Sequence, residues 1–132
     1  MSKYPFLTLP QWLIALRLST ALIFIAHALV RLLNGTIPRF AGYLESEGLP
    51  FGLALVWGIT VFEIAGGLLL AFGWYTRLLT AGFILLLLMG IVLIHARLGW
   101  FVGEHGSGGS EYSFILIVAL LVIAAGAKSK RM

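Results

Sequence analysis

The sequence predicts an all-α transmembrane four-helix bundle, carried by a single membrane domain over residues 1–132, with a short interfacial helix between the first two crossings. Three observations predict it. The chain is 61% hydrophobic and only 11% charged, with a mean hydropathy of +1.04. Soluble domains carry about 25% charged residues, so there is too little polar surface here to cover a water-soluble globule. The apolar residues fall in four runs, at about 12–33, 51–73, 78–98 and 111–127. The first three exceed the roughly 18 residues that cross ~30 Å of hydrocarbon as a helix. The basic residues stand at the ends of these runs, not in one solvated patch. That placement marks interface anchors and topology signals, and it argues against nucleic acid as a partner.

Residues 1–11 are a short lead-in in which Pro10 suits the first helical turn, where its missing N–H costs no hydrogen bond. The first crossing, 12–33, is too long for a signal-peptide core and shows no small-residue cleavage site, so it reads as a retained helix. Thr20, His27, Arg31 and Asn34 share one face of it, which makes an inward-pointing polar stripe. Residues 34–50 are polar and broken by Gly and Pro, and so lie outside the hydrocarbon. Within them Ile37, Phe40, Ala41 and Leu44 fall at i, i+3, i+4 and i+7, the pattern of a short helix lying on the membrane surface.

The second crossing, 51–73, carries a single acid, Glu63, near its middle. A carboxylate at that depth costs several kcal/mol and is kept where something offsets it. Ala54 and Gly58 precede it and Gly66, Gly67 and Ala71 follow; such small residues allow a neighbouring helix to come close. The turn Gly73-Trp74-Tyr75-Thr76-Arg77 places aromatics at a membrane–water boundary. The third crossing, 78–98, holds His95 and Arg97 near its end. A loop with Glu104 and His105 follows; its glycines lack the Gly-Lys-Ser/Thr of a phosphate-binding loop. The fourth run is about 15 residues from Ser113 onward and must borrow Glu111 and Tyr112, or sit in a thinned bilayer, to span.

Four crossings put both termini on one side of the membrane. That side carries six basic residues (Lys3, Arg17, Arg77, Lys128, Lys130, Arg131) against three opposite (Arg31, Arg39, Arg97), so both termini are expected in the cytoplasm. The absence of cysteine excludes thiol–disulfide chemistry, Cys-ligated zinc and cysteine-ligated iron–sulfur clusters.

Running the helices alternately places His27, Glu63, His95 and Glu111 within a few residues of one depth, in the outer half of a shared interior. Arg31, on the face of His27, is a candidate counter-charge. Several readings of this set stand side by side. Glu63 beside Arg31 or a histidine is structural glue between helices, or it is a proton acceptor set by burial against a cation. His27 and His95 invite a bis-histidine haem, although two histidines alone argue weakly for one. A metal held by His27, His95 and Glu63 or Glu111 has suitable ligand types but no tight motif, and no metal is assigned.

The chain also resembles the DoxX family of small four-helix membrane proteins, from about Arg17 to Gly126. The resemblance is carried by Arg17, the block Phe62-Glu63-Ile64-Ala65-Gly66-Gly67-Leu68-Leu69-Leu70, the turn from Gly73 to Arg77, His95, and Gly108-Gly109-Ser110-Glu111-Tyr112. The chain departs from many relatives in ending on a basic tail. The resemblance implies a setting more than an activity: membrane redox systems, among them quinone-linked ones, and redox-stress complexes. It singles out Glu63, His95 and Glu111. The expectation is therefore a bacterial inner-membrane protein that serves as a subunit or accessory of a quinone-linked redox system, alongside other membrane or periplasmic redox subunits. A small hydrophobic ligand, with quinone a candidate and no cofactor assigned, would sit in the bundle. Glu63 and His95 would handle its protons, and His27, Arg31 and Glu111 would bind it. The alternatives are a non-catalytic assembly partner of a larger complex and, further off, a small transporter, which would need a homo-oligomer. Whether any reaction is catalysed stays open at this level.

Overall fold

The computed structural model describes residues 3–93 and 111–127. Among these it is all-helical: α1 (Leu9–Leu33), α2 (Ile37–Ser46), α3 (Gly52–Ala71), α4 (Thr76–Leu93) and α5 (Glu111–Ala125). Three of them, α1, α3 and α4, are long and apolar enough to cross a membrane; the apolar helix Tyr112–Ala125 is shorter. At ~1.5 Å per residue, the 25 residues of α1 span about 37 Å and the 20 of α3 about 30 Å, against about 22 Å for the 15 of α5.

Local chemistry sets the ends. α1 starts at Leu9 because Thr8 and Gln11 form a capping box. The Thr8 backbone N–H donates to Gln11 Oε1 at 2.9 Å, while Thr8 Oγ1 accepts from the Gln11 N–H at 3.4 Å. α3 is capped from α2, as Glu45 Oε2 accepts from the Gly52 N–H at 3.0 Å. An anion at a helix N-terminus satisfies an orphan donor and meets the favourable end of the dipole. At the other end of α3, Arg17 of α1 donates from Nη2 to the Ala71 carbonyl at 3.3 Å. The chain then turns through Gly73 at φ +78°, and a Cβ there would lie 3.2 Å from Arg17 Nη1.

α2 has the amphipathic pattern read from the sequence, but its stripe does not lie on the membrane. Ile37, Ala41 and Leu44 are buried against Val56 of α3, flanked by Phe40, Tyr43, Leu49 and Leu93. The approach depends on Gly52, where a Cβ would stand only 2.3 Å from the Ala41 carbonyl oxygen. The helix is a cover over one end of α3.

α1 packs on α3 and α5, and α4 packs on α5 and, more sparsely, on α3. Contacts between α1 and α3 run in opposite order along the two helices (Arg31 with Thr60 and Glu63, Ile25 with Gly67, Arg17 with Ala71), so the pair is antiparallel. Gly67 makes their close approach possible, since a Cβ there would meet Ile25 Cγ1 at 2.6 Å. Ala54 and Gly58 do not share this role. Both are exposed, and a Cβ at Gly58 would have nothing within 4 Å. The main core joins all four long elements through Ala21, Phe24, Leu70, Leu79, Phe83, Leu120 and Ile123. The Phe24 and Phe83 rings stack with centroids 4.1 Å apart, and Phe62 tilts onto Phe83 at 4.7 Å. Leu22, Val61, Leu85 and Leu121 remain exposed on the outside. Helices apolar on every face belong in hydrocarbon, and this outer surface is the one that meets lipid.

Candidate functional site

The antiparallel pairing of α1 and α3 brings the last turn of α1 beside the middle of α3. There the long side chain of Arg31 reaches across, and Nη1 donates to Glu63 Oε1 at 2.7 Å and to Thr60 Oγ1 at 3.0 Å. Thr60 and Glu63 are three residues apart and share a helix face. The Thr60 hydroxyl has its one proton committed as well, because it donates to the Val56 carbonyl at 2.8 Å. From above, Phe40 of α2 sets its ring against the guanidinium, 5.3 Å from centroid to Cζ. Glu63 is 6% exposed and Thr60 1%. Arginine suits this place because its planar fork can serve several acceptors at once.

Arg31, Glu63 and Phe40 of this cluster line a cavity of about 260 Å³. Phe24, Leu87, Met89 and Leu116 supply apolar walls, and Tyr112 and Ser113 at the start of α5 also line it. The bonds of this pair run through Arg31 Nη1 and Glu63 Oε1, and a guanidinium carries five N–H donors and a carboxylate a second oxygen. His27 lines the same space. Its Nδ1 lies 2.8 Å from the Ile23 carbonyl oxygen, which can only accept, so Nδ1 carries the proton and donates. That leaves Nε2 as the ring nitrogen open to another partner. The cavity therefore offers a cation with spare donors, a carboxylate oxygen and an imidazole nitrogen, with apolar walls elsewhere. Among the described residues no three His, Asp or Glu side chains gather in one place.

Of the residues singled out in the sequence, Arg31 and Glu63 are bonded together, while His27 bonds its own helix and not Glu63. Asn34 caps the end of α1 and is exposed, whereas Thr20 is buried. Glu111 opens α5; its side chain and the whole of His95 lie outside the described residues. Two members of the cluster escape sequence reasoning. Thr60 carries only the i, i+3 spacing to Glu63 as a signal, and Phe40 is visible only as one residue of the α2 stripe.

The DoxX family model matches residues 12–96, which runs from the first turn of α1 through α4 and stops short of α5. A protein of Bacillus subtilis (strain 168) named "Putative oxidoreductase CatD" is 31% identical over 111 residues, 83% of this chain and 74% of the relative. No solved structure matches the chain.

Proposed function

Because the chain belongs to the DoxX family and is a multi-pass membrane protein, we propose that it serves a membrane redox system as a subunit or accessory that binds a quinone-type molecule in the Arg31–Glu63 cavity. The observation that carries this reading is an ion pair between a part-buried arginine and a buried acid, both of which line a small cavity with largely apolar walls. A quinone has carbonyl oxygens at the ends of a flat apolar ring and takes up protons when it is reduced. Arg31 offers donors for a carbonyl, Glu63 Oε2 and His27 Nε2 offer places for protons, and the apolar walls hold the ring. His95 and Glu111 belong to the same proposal as further proton-handling and binding groups. The relative's printed name supports a redox setting. Four crossings, with both termini in the cytoplasm of a bacterial inner membrane and redox subunits as neighbours, complete the proposal.

A second reading has its own support: the ion pair also pins α1 to α3, as an assembly subunit with a purely structural Glu63 would need. One experiment separates them. Purified protein in lipid is titrated with a quinone, as wild type, as Glu63→Gln and as the double variant Arg31→Leu/Glu63→Leu. The redox reading expects saturable binding that Glu63→Gln weakens and the folded double variant abolishes. No saturable binding to wild type, or binding that the double variant retains, would refute it.

A further inference from the structure

A second space lies next to the cavity. Between α3 and α4, and below the linker from α2, runs an open groove of about 790 Å³. Ile59 of α3 and Leu86 of α4 line both the groove and the Arg31–Glu63 cavity. The two spaces differ in kind. Arg31, Glu63 and His27 face the smaller one, whereas no described residue lining the groove carries a polar side chain. Its floor is shaped by small residues, Ala54 and Gly58 on α3 and Gly82 on α4, with Phe62 beside them.

Size decides what such a pair of spaces can hold. A pocket that encloses a whole drug-sized ligand has about 300–1,000 Å³. The 260 Å³ of the cavity takes a ring-sized head and leaves no room for a long chain. Any chain attached to that head must leave, and the shared Ile59–Leu86 wall leads into an apolar groove that opens toward lipid. Both side chains can change rotamer without breaking a hydrogen bond. We infer that the ligand is an amphiphile with a long apolar tail. Its polar head sits against Arg31 and Glu63, and its tail passes between Ile59 and Leu86 to lie along Gly58 and Gly82. This rests on the ligand-binding reading above and adds to it the class of molecule and the direction from which it enters.

Gly58 supplies a clean test, because it lines the groove and a Cβ there meets nothing within 4 Å. Replacing glycine inside a helix also favours the helix. The full chain in lipid nanodiscs is titrated with two probes, a dimethoxy-methyl-benzoquinone without a tail and the same ring bearing a decyl chain. Gly58→Phe is expected to weaken the decyl probe roughly tenfold or more, as filling occupied space does, and to leave the tail-less probe unchanged. Gly58→Ala, too small to block the groove, should leave both unchanged. Equal effects of Gly58→Phe on the two probes, or none on either, would overturn the tail placement while the head site stands. If neither probe binds wild type, the ligand-binding reading itself falls and this inference falls with it.

Discussion

α1 sends two arginines to α3, one near each end, and they meet different things. Arg17 reaches the last turn of α3 and donates to the Ala71 backbone carbonyl, a group that would otherwise lack a partner. A cation at a helix C-terminus is favoured by the dipole, so no acid is needed there. Arg31 reaches the middle of α3, where every backbone carbonyl is already committed within the helix. It meets a side-chain carboxylate and a hydroxyl instead. The contrast shows where charge in this protein is architecture and where it is more. The arginine at the helix end meets a backbone carbonyl through Nη2 and keeps its Nε buried with no partner among the described residues, whereas the one between helices meets an acid carried in the apolar run. That acid and Arg31 form an ion pair, and both line the cavity.

The comparison can be broken most decisively at Glu63. Glu63→Leu leaves the Arg31 guanidinium without its anion between helices, and a guanidinium has no neutral form within reach. The expected loss is about 2.5–3.5 kcal/mol, read from unfolding in mixed micelles. Arg31→Leu should cost less, because a lone carboxyl has the neutral acid form open to it; a larger loss at Arg31 than at Glu63 would reverse the assignment of the obligate partner. Arg17→Met should cost about 0.3–1 kcal/mol, the worth of a cation at a helix C-terminus, and leave quinone binding untouched. Should it alter binding, the division between the two arginines is wrong. The smallest effect belongs to Thr60→Val. It removes one interhelical hydrogen bond, worth about 0.6 kcal/mol inside membranes, and keeps the ion pair. A loss as large as that of Glu63→Leu would make Thr60, and not the carboxylate, the anchor of Arg31.

Much of this was legible in the residues, for physical reasons. Glu63 announced itself because an acid in an apolar run must have a partner, and Arg31 was on the right face and at the right depth to be that partner. The helices themselves follow from run length and from Pro10, Gly35 and Gly73 at their ends. The face of α2 was not legible: an apolar stripe on a ten-residue helix fits a lipid surface or a protein surface equally well. What selected the protein surface was Gly52, and a glycine in sequence does not say what approaches it. The same ambiguity hid the difference between Gly67, which meets α1, and Gly58, which meets nothing. Thr60 was hidden for another reason: threonines inside membrane helices commonly bond back to their own turn, as this one also does with Val56.

The ties of α2 have one more consequence. Glu45 holds the start of α3, and the Tyr43 hydroxyl donates to the Leu93 carbonyl at the far end of α4. At the opposite end the same two helices are joined by the short turn through Gly73. The pair is thus fastened at both ends, with sparse contact between, like the two edges of a buttonhole. Between those ties Phe62 of α3 packs closely on Gly82 of α4, while Gly58 faces open space on the groove side. A guest arriving sideways from the bilayer would meet the open side of the α3–α4 seam at Gly58, one wall away from the ion pair.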